Sequence, residues 1–306
     1  MIGVIGLGNM GSGIATTLLR KSFETVVYDI DARRMKPLQE AGAQAAADVA
    51  DLCARCDTAL LSLPSSRVTV DVIEHQVVPA AREGMVVIDL GTTVVRETER
   101  LAALLRERGA SMIDAPVSGG SAGAAEGTLY VFAGGERSAF ETSRKVLEAI
   151  GGAKVTYCGE SGRGQVVKGV NQLAMGLVEA AFIESIAYGV AGGVEPGVIR
   201  EAVGGDSGWR ADLKRIAERI DKGEGDLMDT KYAEYGYFRD EAERKSFPSP
   251  ILAALSTFMS QFPATGRDNM NRPYPPLWSA LLGGAGRSDP ATSTTPRGAR
   301  TPGDAR

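Results

Sequence analysis

Lys168, Asn171 and Gln172 fall within one helical turn of a stretch that is otherwise small and apolar. Offsets of three and four residues place the three side chains on one helix face. An ammonium on an apolar helix costs several kcal/mol to bury unless it is paired, so a lysine there needs a reason. One reason is a lysine in the first turn that snorkels to solvent. The other is chemistry: desolvation lowers a lysine pKa toward the working pH, and the amine can then pass a proton to or from a substrate oxygen. Which amide faces a substrate is open, so Asn171 and Gln172 both stand as candidates.

A second constellation opens the chain. Gly6-Leu7-Gly8-Asn9-Met10-Gly11 spells G-x-G-x-x-G, after the apolar run Met1–Ile5 and before Ile14, Ala15, Leu18 and Leu19 at helical spacing. The first glycine allows the tight turn, the second lets backbone approach a pyrophosphate, and the third lets helix and strand pack closely. A helix N-terminus then offers free N–H groups to the anion. Glu24–Tyr28 reads as a second strand ending in Asp29, about twenty residues on, where a dinucleotide site places a carboxylate against the ribose hydroxyls. That carboxylate repels a 2′-phosphate and favours NAD, while Arg33 and Arg34 keep NADP as the alternative. If the helix carrying Lys168 starts at a domain junction, its ammonium faces the crevice into which the nicotinamide projects.

The elements that must position these groups alternate strand and helix. Helices are expected over Ala32–Ala41, Asp48–Arg55, Val68–His75, Arg96–Arg108 and Ser138–Ile150. Strands are expected over Ala43–Ala45, Thr58–Leu63, Met85–Asp89, Ser111–Ala115, Thr128–Ala133 and Lys154–Tyr157. Such alternation implies an open parallel sheet with helices on both faces, and ligands bound beyond the C-terminal strand ends. After Gly164 strand signals stop. Gln165–Gly192, Glu195–Val203, Arg210–Asp221 and Pro250–Phe262 read as helices. The fold expected is α/β: an N-terminal Rossmann doubly wound sheet over 1–160, an all-α C-terminal domain over 161–283, and a disordered tail over 284–306. The helix from Gln165 is apolar on most faces, which implies both central packing and a subunit interface, hence a homodimer or homotetramer.

Gross composition narrows the partners. A net charge of −4 over 306 residues gives no reason to expect nucleic acid or an anionic membrane. No uninterrupted run of about eighteen apolar residues occurs and no signal peptide is read, so the cytoplasm is the expected compartment. The three cysteines do not make a disulfide framework. Cys53 and Cys56 form a lone C-x-x-C without a second pair or histidine cluster, and read as packed helix residues. No metal is expected.

Three motifs in this order, Gly6–Gly11, Asp114–Gly120 (D-A-P-V-S-G-G) and Gly162–Gln172 (G-x-G-x-x-x-K-x-x-N-Q), resemble the β-hydroxyacid dehydrogenase family, which includes 3-hydroxyisobutyrate dehydrogenases and tartronate semialdehyde reductases. The resemblance covers residues 1 to about 205 well and the remainder loosely. It implies a nicotinamide cofactor on a Rossmann domain and a helical domain completing cleft and dimer. It implies Lys168 as general acid or base, with Ser118, Gly119 and Gly120 holding a small substrate's carboxylate. Thr92 is implied beside the nicotinamide ribose, and Leu63-Pro64 as a turn beside the cofactor. The Asn171-Gln172 pair is more similar to the semialdehyde reductases than the Asn-Asn of many members.

The chain also departs from the pattern. A later Lys-Asp pair of the family falls at Ala233-Glu234, counted back from Pro250, and the nearest lysine is Lys231. The Tyr-, Arg- and Pro-rich segment 206–276 is either a divergent surface or a rebuilt pocket with Tyr232 or Tyr235 as donors. Two rival functions follow: a non-catalytic dinucleotide sensor or scaffold, and an NADPH-dependent imine reductase. The lone His75 is expected on the surface, away from the crevice.

Overall fold

A computed structural model describes residues 1–222, 229–261 and 277–283, with backbone alone for residues 229–233. The expected tail over 284–306 lies outside the described residues. The chain opens with β1 (Ile2–Ile5), α1 (Asn9–Arg20), β2 (Thr25–Tyr28), α2 (Lys36–Glu40), β3 (Gln44–Ala45), α3 (Val49–Arg55), β4 (Thr58–Leu61), α4 (Ser66–Val72) and α5 (Val78–Ala80). It continues with β5 (Val86–Asp89), α6 (Val95–Glu107), β6 (Ser111–Asp114), β7 (Val117–Ser118), α7 (Gly120–Glu126), β8 (Tyr130–Gly135), α8 (Arg137–Gly151) and β9 (Val155–Gly159). These strands make one nine-stranded sheet in the order β3-β2-β1-β4-β5-β6-β8-β7, with β9 beside β8.

The strands are near-continuous apolar runs because both sheet faces are covered. Successive residues enter opposite cores. Val4, Leu60, Ile88 and Ile113 pack with Ile14 and Leu18 of α1 and Phe140 and Leu147 of α8. Ile5, Leu61, Val87 and Met112 pack on the other face with Leu52 and Cys53 of α3 and Leu101 and Leu105 of α6. β1 to β6 run parallel, as expected, but β8 is antiparallel to both β6 and β7. The sheet is therefore mixed rather than purely parallel. The cause is the short β7 and α7, which turn the chain back without the crossover helix that a parallel neighbour requires.

α9 (Arg163–Ala191) is one continuous helix, followed by α10 (Pro196–Val203), α11 (Gly208–Asp221), α12 (Asp229–Arg244), α13 (Pro250–Met259) and α14 (Leu277–Gly283). The chain divides into two compact units within α9, between Val178 and Glu179, and not near residue 160. The first unit keeps the start of α9 and adds α12 and α13 to the sheet domain. Arg244 of α12 pairs with Glu99 of α6 at 3.2 Å, and Phe238 lies 3.0 Å from where a Cβ on Gly169 would stand. The second unit holds the rest of α9 with α10, α11 and α14. There α11 buries Leu213, Ile216, Ala217 and Ile220, a stripe at helical period, and Arg200 pairs with Asp221 at 3.1 Å.

Candidate active site at the strand ends

Asp114 ends β6 fully buried, and its carboxylate caps the start of α9 from across the fold. Oδ1 accepts the Gly162 N–H at 2.8 Å and Oδ2 the Gln165 N–H at 3.0 Å, a favourable place for an acid at a helix N-terminus. Gly164 lies between these contacts with no room for a side chain: its Cβ would stand 2.2 Å from the Phe132 carbonyl oxygen. Gln165 ties the same turn to the loop after β5, its Oε1 accepting the Thr93 N–H at 3.0 Å and its Nε2 donating to the Gly91 carbonyl at 2.9 Å. Asp89 braces that loop, accepting the Gly91 N–H at 2.9 Å and the Thr93 hydroxyl at 2.6 Å. Burial pushes both carboxyls up, Asp89 to about 6 and Asp114 to about 7, against the pull of their donors. The spacing G-x-G-x-x-x-K has a mechanical meaning. Gly162, Gly164 and Gln165 are clamped, and Lys168 emerges one turn later.

Lys168 is 7% exposed, and its Nζ donates to the Val117 carbonyl oxygen at 2.9 Å. It does not snorkel. Burial holds the ammonium below the ordinary lysine pKa, while the charge of Glu234 pulls it back up. Val117 precedes Ser118, so the lysine is fixed against the D-A-P-V-S-G-G loop. On the same face Asn171 Nδ2 reaches Ser118 Oγ at a long 3.5 Å and Gln172 Oε1 at 3.4 Å. Gln172 Nε2 donates to a carboxylate oxygen of Glu234 on α12. A polar chain from Ser118 through Asn171 and Gln172 to Glu234 thus accompanies Lys168, with Gly119 and Gly120 exposed beside Ser118.

The glycine loop follows β1. Gly11 approaches Gly6 so closely that a Cβ would stand 1.9 Å from the Gly6 carbonyl oxygen, which only glycine permits. Gly8 begins α1 with no side-chain cap and no acid in the first turn. A Cβ at Gly8 would meet nothing nearer than Arg34 Nη1 at 3.8 Å, so an open cradle stands over an uncapped helix N-terminus and fits a pyrophosphate. Asn9 is exposed and Met10 half-buried. Leu7 faces the core at 2% exposure, and its N–H is spent on Asp29 Oδ2 at 2.7 Å, so it shapes the loop. Asp29 also accepts the Asp31 N–H at 2.8 Å, and Arg34 stands 3.7 Å from its Oδ2, while Arg33 turns to Asp31. Leu63 and Pro64 follow β4, and half-buried Thr92 follows β5. The four loops leave the C-terminal ends of β1, β4, β5 and β6, neighbours in the sheet that span about 14 Å at one strand spacing each. That edge, beside the reversal of strand order at β1 and β4, is where open α/β sheets bind dinucleotides.

The comparisons with known proteins agree with this geometry. Residues 1–159 match the family model described as the NAD binding domain of 6-phosphogluconate dehydrogenase. The NAD-dependent L-serine dehydrogenase of Pseudomonas aeruginosa is 35% identical over 270 residues, 84% of this chain and 90% of that protein. The 2-(hydroxymethyl)glutarate dehydrogenase of Eubacterium barkeri is 29% identical over 92% of this chain and 96% of its own. The crystal structure of 3-hydroxyisobutyrate dehydrogenase from Salmonella typhimurium superposes with a TM-score of 0.75 at 25% identity, covering 92% of this chain and 98% of that one. The chain belongs to the β-hydroxyacid dehydrogenase family. It is an NAD(P)-dependent dehydrogenase acting on a CH–OH group, with a Rossmann domain and a helical C-terminal part.

Other residues considered for this dehydrogenase separate cleanly. Tyr235 is buried at 4% exposure, and the side chains of Lys231 and Tyr232 lie outside the described residues. Glu234, read from the sequence only as a register position, is the α12 residue that reaches the polar chain. Asp89 and Gln165 carried no signal in the sequence, since their partners are backbone groups of a loop and, for Asp89, one threonine hydroxyl in it. His75 is exposed, its Nδ1 3.1 Å from the Asp71 carbonyl oxygen. Cys53 and Cys56 are buried, and burial pushes their thiols up to about 12 and about 11. A cavity of about 820 Å³ opens elsewhere, at the N-terminal end of β6. Two of the arginines lining it, Arg106 and Arg137, are already paired with Glu136 and Glu141.

Proposed function

We propose that the chain moves a hydride between NAD and the hydroxyl-bearing carbon of a short β-hydroxy acid, with Lys168 carrying the proton. The observation behind this reading is the burial of Lys168 against Val117-Ser118, at the strand edge that also carries the glycine loop. The P. aeruginosa and E. barkeri relatives are named for substrates with a hydroxyl on the carbon β to a carboxylate. Bound nicotinamide supplies the hydride acceptor or donor at C4. Neutral Lys168 takes the proton of the substrate hydroxyl as its carbon gives up the hydride. In reduction the ammonium returns that proton to the forming alkoxide oxygen. Ser118 and the N–H groups of Gly119 and Gly120 hold the substrate carboxylate, and the Asn171 and Gln172 amides orient the hydroxyl-bearing carbon. A dinucleotide sensor would have no use for a desolvated lysine beside such a polar chain.

Asp29 favours NAD over NADP by charge, tempered by Arg34. We also assign the exposed stripe of α9, with Val170 63%, Val178 52% and Tyr188 83% exposed, to contact between copies of this chain. By length and composition α9 is also apolar enough to cross a membrane, although its first turns hold Lys168 in the folded unit. Turnover of C3–C4 hydroxy acids and semialdehydes with NAD and NADP tests the reading, and silence across the whole panel with both cofactors contradicts it.

A further inference from the structure

The cavity of about 820 Å³ at the N-terminal end of β6 stands apart from the site described above. At about 3.3 Å per residue, the Ser111 end of β6 lies about 10 Å from the Asp114 end beside the cofactor loops. β8 and β9 run antiparallel to β6 and end here, so the start of α8 and the turn into α9 both open onto the cavity. Three arginines line it. Arg106 reaches Glu136 through Nε at 3.1 Å and Arg137 reaches Glu141 through Nε at 2.9 Å, while Arg163 has no ion pair among the described residues. Glu141 also pairs with Arg144 at 2.8 Å, so it compensates Arg137 only in part. Arg137 lies 4.7 Å over the Tyr157 ring, whose hydroxyl donates to the Gly135 carbonyl oxygen at 2.9 Å, and this stack holds the guanidinium at the cavity wall. Both ion pairs are exposed, and such pairs are worth only ~0–1 kcal/mol, so a bound anion can compete with them. Ser161 lines the cavity too, with a buried hydroxyl oxygen that has no hydrogen-bond partner among the described residues. An orphan of this kind costs about 1–3 kcal/mol, which a ligand's acceptor relieves.

We propose that this cavity is a second anion site, separate from the nucleotide cleft, and that its ligand is a hydroxylated phosphate monoester of sugar-phosphate size. A phosphate monoester brings three acceptor oxygens and about two negative charges, which matches three guanidinium forks better than a single carboxylate does. The lining acids Glu99 and Glu136 are paired with Arg244 and Arg106, which leaves Glu160 exposed and without an ion pair among the described residues. That carboxylate repels a bare phosphate, whereas the hydroxyls of an organic phosphate can donate to it. The volume also suits a small organic molecule rather than an inorganic ion. The occupant sits against the turn whose Gly162 N–H is held by Asp114, behind the clamp on the helix that carries Lys168.

Isothermal titration calorimetry of the full chain with ribose 5-phosphate, inorganic phosphate and ribose, with and without saturating NAD, tests this. Ribose 5-phosphate should bind with a dissociation constant below about 1 mM that NAD leaves unchanged, inorganic phosphate at least tenfold more weakly, and ribose not detectably. Arg137→Ala and Arg163→Ala, both at exposed positions, should each weaken ribose 5-phosphate about tenfold or more, the worth of one charge-assisted contact. Their thermal melts and NAD affinity should match wild type. Inorganic phosphate binding as tightly as ribose 5-phosphate would mean an adventitious ion only and overturns the inference. So does displacement by NAD, which places the phosphate in the nucleotide cleft, and so does an affinity that neither substitution changes. Absence of saturable heat with ribose 5-phosphate overturns it outright. Turnover plays no part in the readout, so the dehydrogenase reading stands or falls separately.

Discussion

Asp114 offers a prediction that can be worked through in numbers. Its carboxyl is pushed up to about 7 from an ordinary 3.8, chiefly by burial, so the folded chain keeps a proton that the unfolded chain releases above about pH 4. A group with a raised acidic pKa lowers stability as pH climbs from the unfolded value to the folded one, and adds nothing beyond it. Each pH unit in that window is worth ~1.4 kcal/mol, so Asp114 removes ~3 kcal/mol between pH 5 and 7. Asp89, raised to about 6, removes ~1.4 kcal/mol over pH 5 to 6. In Asp114→Asn the larger contribution disappears, while an amide oxygen can still accept one of the two N–H groups at Gly162 and Gln165. Urea unfolding followed by circular dichroism at pH 5 and pH 8 gives four free energies. Wild type should lose ~3 kcal/mol more than the variant over that interval, on the same arithmetic. Titrating groups that do not interact with Asp114 cancel in the double difference, and the coupling to Asp89 is the smaller remainder. Parallel pH profiles for the two proteins would show that burial of Asp114 does not govern its protonation.

Further predictions follow from the same clamp and from the two outer sites. Gln165→Ala strands the Thr93 N–H and Gly91 carbonyl and should cost ~2–4 kcal/mol in unfolding experiments, with a larger drop in kcat than rise in KM for NAD. Unchanged stability there would remove Gln165 from the account. Asp29→Asn frees Arg34 and lifts the negative charge at the ribose, so the NADP to NAD ratio of kcat/KM should rise about tenfold, roughly the worth of one charge-assisted contact; a constant ratio argues against Asp29 as the discriminator. Val178→Glu places a charge in the exposed apolar stripe of α9 and should reduce the mass measured by light scattering after gel filtration to that of one chain, 32.1 kDa. Wild type already at that mass would dispose of the interface.

The sheet domain was legible because its strands are uninterrupted apolar runs and its glycines sit at fixed offsets. Val4, Val27, Leu60 and Ile88 announce buried strands whatever their neighbours. Strand direction is not written in such runs, which is why the antiparallel β8 escaped notice. β7 and α7 escaped for another reason: Ser118 to Ala125 are all Gly, Ala or Ser, with no period for either element. α12 mixes Tyr, Glu and Arg on every side and shows no apolar stripe, so its return to the first unit was hidden. α4 starts at Ser66, two residues before the expected Val68, and ends in a wide turn over Ile73–Val77, in a run of β-branched residues that suits a strand as well as a helix. At the site, the grouping of Lys168, Asn171 and Gln172 is local and could be counted. The clamp on their helix is not, since Asp114 and Gly162 are 48 residues apart and Gly91 and Gln165 are 74 apart. Glu234, 62 residues from Gln172, was visible only as the acid position of a pair whose lysine is missing at Ala233.

The central claim is that the buried amine at position 168 moves the proton in the reaction. Single-turnover rates and NAD affinity measured side by side for wild type and Lys168→Ala address it most directly. The account predicts a loss of ~10²–10⁴ in rate, the span of general acid–base catalysis, with the dissociation constant for NAD within about threefold of wild type. A variant that reacts at a near wild-type rate would contradict it.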